Sequence, residues 1–142
     1  MLVLDITTFL GRLHPMIVHL PIGFLLLAVV FELLSYTNRY ANLKPAVSLA
    51  LLAGFIFAVA ACVFGYLLSL SGDYDYQNLS NHKLSGIVVA VISGGVYIMT
   101  LDWFRQRLVV PNRVFSVCFF SMVGLMIYTG HQGGNLTHGS DY

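Results

Sequence analysis

Charge is what this chain has least of: Asp, Glu, Lys and Arg make up 9% of its 142 residues, against 58% apolar residues. A water-soluble domain carries about 25% charge, so this sequence cannot clothe a surface that faces water. An integral membrane protein is the class that remains. The formal net charge of +1 supplies no basic patch to neutralise phosphates, which excludes nucleic acid as a partner. Cysteine is scarce too. Cys62 and Cys118 stand alone in apolar runs, which excludes a C-x-x-C zinc knuckle and a covalent c-type haem and leaves two small buried apolar side chains. The opening MLVLDITTFLGRLHP has no basic n-region, and its first charge is Asp5. The first apolar segment is therefore expected to stay as an anchor and not to be cleaved as a signal peptide.

Long apolar runs are abundant. Four of them, residues 16–36, 45–70, 84–101 and 114–130, approach the roughly 20 helical residues that cross about 30 Å of hydrocarbon. Their connections, TNRYANLK, SGDYDYQNLSNHK and DWFRQRLVVPNR, are short and polar. Short links favour antiparallel neighbours, and lipid requires each backbone to satisfy its own hydrogen bonds. The prediction is one all-α transmembrane domain over residues 1–142, an up-down-up-down four-helix bundle. Arg39, Lys44, Arg105, Arg107 and Arg113 gather in the first and third connections, and basic residues mark the cytoplasmic side. Both termini and the middle connection are therefore expected outside, in a multi-pass protein of the bacterial inner membrane. Tyr36, Tyr40 and Trp103 suit an inner aromatic belt, and Tyr66, Tyr74, Tyr76 and Tyr128 an outer one. Glu32 and Asp102 fall near Arg39 and Arg105, so they read as interfacial carboxylates beside basic partners.

With that orientation, all five histidines lie at the outer face: His14 and His19 at the start of span one, His82 at the start of span three, His131 and His138 at or after the end of span four. His19 is followed four residues later by Gly23, and His82 by Gly86. On a helix these pairs share a face one turn apart, and a flat ring held edge-on by an imidazole needs no side chain there. Pro21 cannot donate to the carbonyl of Ile17, so the helix should break beside His19. His14 and His19, five residues apart, should not reach one ion from the same side. Gly130, Gly133 and Gly134 are expected to end the fourth helix and fold His138 back beside His131.

Imidazole binds iron, zinc and copper alike. Asp73, Asp75 and Asp141 are at the level of the histidines, but no glutamate or cysteine is. The set suits haem b, in one or two copies, with zinc or copper as the alternative. His19 with His131 is the first axial pairing expected, and His82 with His14 or His138 the second.

The stretches GRLHPMIVHLPIGFLLL, GYLLSLSGDYD, NHKLSG and TGHQGGNLTHGSDY resemble a bacterial four-helix membrane domain family whose members often precede a c-type cytochrome module. The resemblance covers essentially the whole chain. It implies redox chemistry at the outer face of the inner membrane, with the family's histidines at His14, His19, His82, His131 and His138. The chain stops at Tyr142, where a cytochrome module would begin; either it stands alone or the rest has been cut away, and the expected partner is a separate c-type cytochrome or other redox subunit, with quinol a candidate donor. The competing expectation is a non-redox membrane anchor or assembly subunit with a histidine-lined structural metal site. No nucleophile–base arrangement is present, so an electron-carrying piece is expected and not a catalytic one.

Overall fold

The computed structural model describes residues 2–72, 74–108 and 111–139, except for the side chains of residues 2–5 and of His138. Among these residues every regular element is a helix. α1 (Leu2–Gly11), α2 (His14–Ile17) and α3 (His19–Ser35) follow one another with brief interruptions. A 3-10 helix (Asn38–Leu43) leads into α4 (Lys44–Ser69). Then come α5 (Tyr76–Ile98), α6 (Asp102–Arg107) and α7 (Asn112–His138).

Local chemistry explains several boundaries. The break at Val18 falls where Pro21 withholds its N–H from Ile17, as the sequence predicts. Asp75 caps α5, its Oδ1 accepting from the Asn78 N–H at 2.8 Å. α6 starts with Asp102 and ends with Arg105 and Arg107, each charge at the helix end whose dipole favours it. The last helix departs from expectation. Gly130, Gly133 and Gly134 do not end α7, which runs through them to His138 and stops at Gly139, whose φ is 92°. Packing of this segment against α5 overrides the weak helix propensity of glycine. The chain therefore does not fold back before His138.

The helices bury mainly small and apolar residues at spacings of three and four: Pro21, Leu25 and Ala28 on α3, with the charged Glu32 one turn on, then Val47, Leu51, Gly54, Ala58 and Ala61 on α4. Leu25, Leu51, Val96, Phe119 and Met122 form the centre of the core. Glycines let backbones close in. A Cβ at Gly54 would stand 2.5 Å from Leu25 Cδ2, and one at Gly94 2.9 Å from Phe55 Cε2. Glu32, near the end of α3, is buried and accepts from Lys44 Nζ at the start of α4, at 2.6 Å. Its partner is thus Lys44, across the connection, and not Arg39. Ser48 and Thr100 share a hydrogen bond of 2.8 Å between α4 and the end of the α5 segment.

The outside is apolar. Leu26, Val30, Leu49, Ile56, Val91, Val117 and Ile127 are all exposed, a covering that belongs against lipid. Three helical stretches are long and apolar enough to cross a membrane: Ile6–Ser35, Asn38–Ser69 and Asn112–Thr137. α5, the third expected span, is not among them, because it opens with two polar turns, YQNLSNHK. The first stretch also begins ahead of the expected residue 16. There α1 packs against α4, with Gly11 so close to Leu68 that a Cβ would lie 2.6 Å from the Leu68 backbone nitrogen.

Gly54→Leu forces a side chain into the fully buried Leu25 contact. It should lower stability in detergent by about 1–3 kcal/mol, the usual cost of overpacking. Gly95→Ala, where a Cβ meets no atom within 4 Å, should stay within about 0.5 kcal/mol of the parent. Denaturant titration followed by circular dichroism checks both.

Candidate functional site: a histidine pair between two helix pairs

His14 opens α2, directly after the turn at Arg12 and Leu13, and His82 lies in the second turn of α5. Their rings meet with centroids 6.2 Å apart and planes crossed at 81°. Each ring is held from behind by a helix other than its own. His14 Nδ1 lies 2.9 Å from the Ala61 carbonyl oxygen on α4, and His82 Nδ1 3.2 Å from that of Thr129 on α7. A carbonyl only accepts, so Nδ1 donates in both rings. That fixes the tautomer and leaves Nε2 of each histidine with its lone pair, the form in which imidazole binds metals.

Glycines make room for both rings. A Cβ at Gly65, one turn beyond Ala61, would stand 2.8 Å from His14 Cε1, and one at Gly133, one turn beyond Thr129, 3.2 Å from His82 Cε1. Gly86, one turn after His82, has ordinary spacing, with Cys62 Sγ and Thr129 Cγ2 each 4.0 Å from its would-be Cβ. Burial holds the His82 imidazole below its ordinary pKa; nearby His14 lowers it further, against the opposing bond to Thr129. Asn135, two residues past Gly133, keeps a buried side-chain oxygen with no hydrogen-bond partner among the described residues.

Of the other expected residues, His19 is exposed and donates from Nδ1 to the Pro15 carbonyl on the preceding α2, 2.7 Å away. At Gly23, one turn on, a Cβ would meet no atom within 4 Å. His131 is exposed on α7. The His138 side chain, Asp73 and Asp141 lie outside the described residues, and Asp75 serves as a helix cap. The structure therefore brings together His14 and His82, the second of the expected pairings; among the described residues theirs is the one contact between histidine rings. No three His, Cys, Asp or Glu side chains among those residues converge as a metal site. Sequence reasoning missed the two carbonyl anchors. The signal available was the identical separation of 47 residues from each histidine to its acceptor.

A half-buried ion pair and two cavities lie elsewhere. A cavity of about 360 Å³ is lined by Glu32, Lys44, Ser48, Thr100 and Arg105, and a second of about 410 Å³ shares Glu32, Lys44 and Arg105 with it. Along α4, Lys44 is about 25 Å of helix from Ala61, so these cavities and the histidine pair mark opposite ends.

An apolar exterior, small-residue helix contacts and three membrane-length helical stretches define a helical membrane protein. Within that class, the family described as predicted membrane protein (DUF2231) has a model that matches residues 12–140, and the chain belongs to that family. No curated protein and no solved structure matches the chain.

The lowered pKa of His82 has a consequence for stability. A group depressed below its unfolded value, 6.5 for histidine, stabilises the fold fully above that pH and loses its contribution as pH falls through the folded value. Stability in detergent should therefore decline as pH falls below 6.5, and His82→Asn should flatten the decline. Thermal unfolding at pH 7.5, 6 and 5 measures it.

Proposed function

We propose that the chain is a b-type haem subunit of the bacterial inner membrane, in which His14 and His82 would hold the haem, and that it passes electrons at the outer face. The observation that carries this reading is the pair itself: two imidazoles, each with Nδ1 tied to a backbone carbonyl and Nε2 left as a donor. The two ring centres lie 6.2 Å apart. Two protein donors suffice for haem iron, whose porphyrin supplies the rest, whereas a structural zinc site draws four ligands from the protein.

Bound haem supplies one-electron chemistry; the chain's own residues bind it, orient it and set its surroundings. The carbonyls of Ala61 and Thr129 orient the ligands, and Gly65 and Gly133 give the rings their seats. In this reading α5 is the fourth span, its apolar part short, and the bundle runs up-down-up-down. The charged end at Lys44 and Arg105 faces the cytoplasm, and both termini face the periplasm with the histidines. The resemblance to domains that precede c-type cytochromes favours such a cytochrome, or another redox subunit, as the electron partner, with quinol as the donor.

Protein purified in detergent from haem-supplied cells should show a b-type reduced-minus-oxidised spectrum, confirmed as a pyridine haemochrome. His14→Ala and His82→Ala should each lose most of the haem, while His19→Ala and His131→Ala retain it. Retention in both of the first two would end the assignment. A colourless parent holding stoichiometric zinc or copper would support the anchor function with a metal site.

A further inference from the structure

The two halves of the site have matching addresses. Adding 68 to His14, Ala61 and Gly65 gives His82, Thr129 and Gly133. The same shift carries Lys44, the first residue of α4, onto Asn112, the first residue of α7. It also carries buried Pro21, Leu25 and Ala28 onto buried Val89, Ser93 and Val96, and buried Leu51, Gly54 and Ala58 onto buried Phe119, Met122 and Met126. Few residue types are kept under the shift; His14/His82, Ser48/Ser116, Gly65/Gly133 and Leu68/Leu136 are among them. A coincidence of burial at three positions on each helix, together with one hydrogen bond repeated in kind, points to a common plan and not to chance packing.

We infer that the chain is a tandem pair of helix pairs built on one plan, and that each pair supplies half of a single ligand site. The half-site has three parts: an imidazole near the start of the first helix, a carbonyl near the end of the second that takes its Nδ1 proton, and a glycine one turn further that clears space for the ring. The two half-sites meet where the His14 and His82 rings approach to 6.2 Å. One ligand is therefore shared between the halves, one per chain, and neither half can hold it alone. His19 and His131 have no histidine counterpart under the shift, which pairs them with Ile87 and Val63; they stand outside the duplicated device. The haem reading bears only on what the shared ligand is.

Full-length protein with its histidine nitrogens labelled with nitrogen-15 tests the half-site in detergent without requiring any ligand. In a His19→Ala background, which removes the exposed ring that donates from Nδ1 to Pro15, the spectrum at neutral pH should contain two imidazoles with the proton on Nδ1, the less common tautomer in water. His14→Ala should remove one of these signals and leave the other, and His82→Ala should do the converse. On titration with haemin both signals should change together and saturate at one equivalent. If they ignore haemin but respond together to one equivalent of Zn²⁺, the half-site stands and the haem reading falls. Signals that carry the proton on Nε2, that respond at separate equivalents, or that ignore both probes would overturn the shared site.

Discussion

The hydrogen bond from each imidazole to the backbone of a neighbouring helix is the constraint on which the site depends. His14 reaches the Ala61 carbonyl and His82 the Thr129 carbonyl. Each bond does two things at once. It satisfies a polar nitrogen in a half-buried setting where an unpaired donor would cost on the order of 1–3 kcal/mol. It also decides which nitrogen keeps a lone pair. Because the acceptors sit on α4 and α7, the donor geometry is set by helix packing and not by the local loops.

Packing in turn follows from a composition with almost no charge. The apolar exterior gives the helices nothing to gain by hiding from lipid, so contact rests on close approach of small residues and on a few polar bonds. Gly54 under Leu25, Gly94 under Phe55 and Gly11 against Leu68 supply the close approaches. Glu32–Lys44 and Ser48–Thr100 supply polar ties at the end opposite the histidines. The two ends thus differ in kind: one where Glu32 and Lys44 pair beside two cavities, and one where two imidazoles approach one another.

Much of this was legible in the sequence, and the misses are instructive. Hydropathy gave an all-helical membrane protein, and Pro21 correctly marked the break beside His19. The glycines of TGHQGG misled, because a turn and a close-packed helix face both call for glycine. Only the contact between Gly133 and the His82 ring shows which of the two applies. The histidine contacts were harder to read. His19 and His131 have the matching depth that spacing can show, whereas the rings that meet are those of His14 and His82, each tied to a carbonyl on another helix, and contact between distant helices leaves no mark in a sequence. The polar opening of α5 was visible as NLSNHK, yet counting apolar residues alone made it a span equal to the others.

Electron paramagnetic resonance of the ferric protein tests the central claim most directly. Two imidazoles on one iron, with planes crossed near the 81° seen here, should give a strongly anisotropic low-spin signal that His14→Ala and His82→Ala both abolish. A high-spin signal in the parent protein, or a low-spin signal untouched by either substitution, would contradict the account.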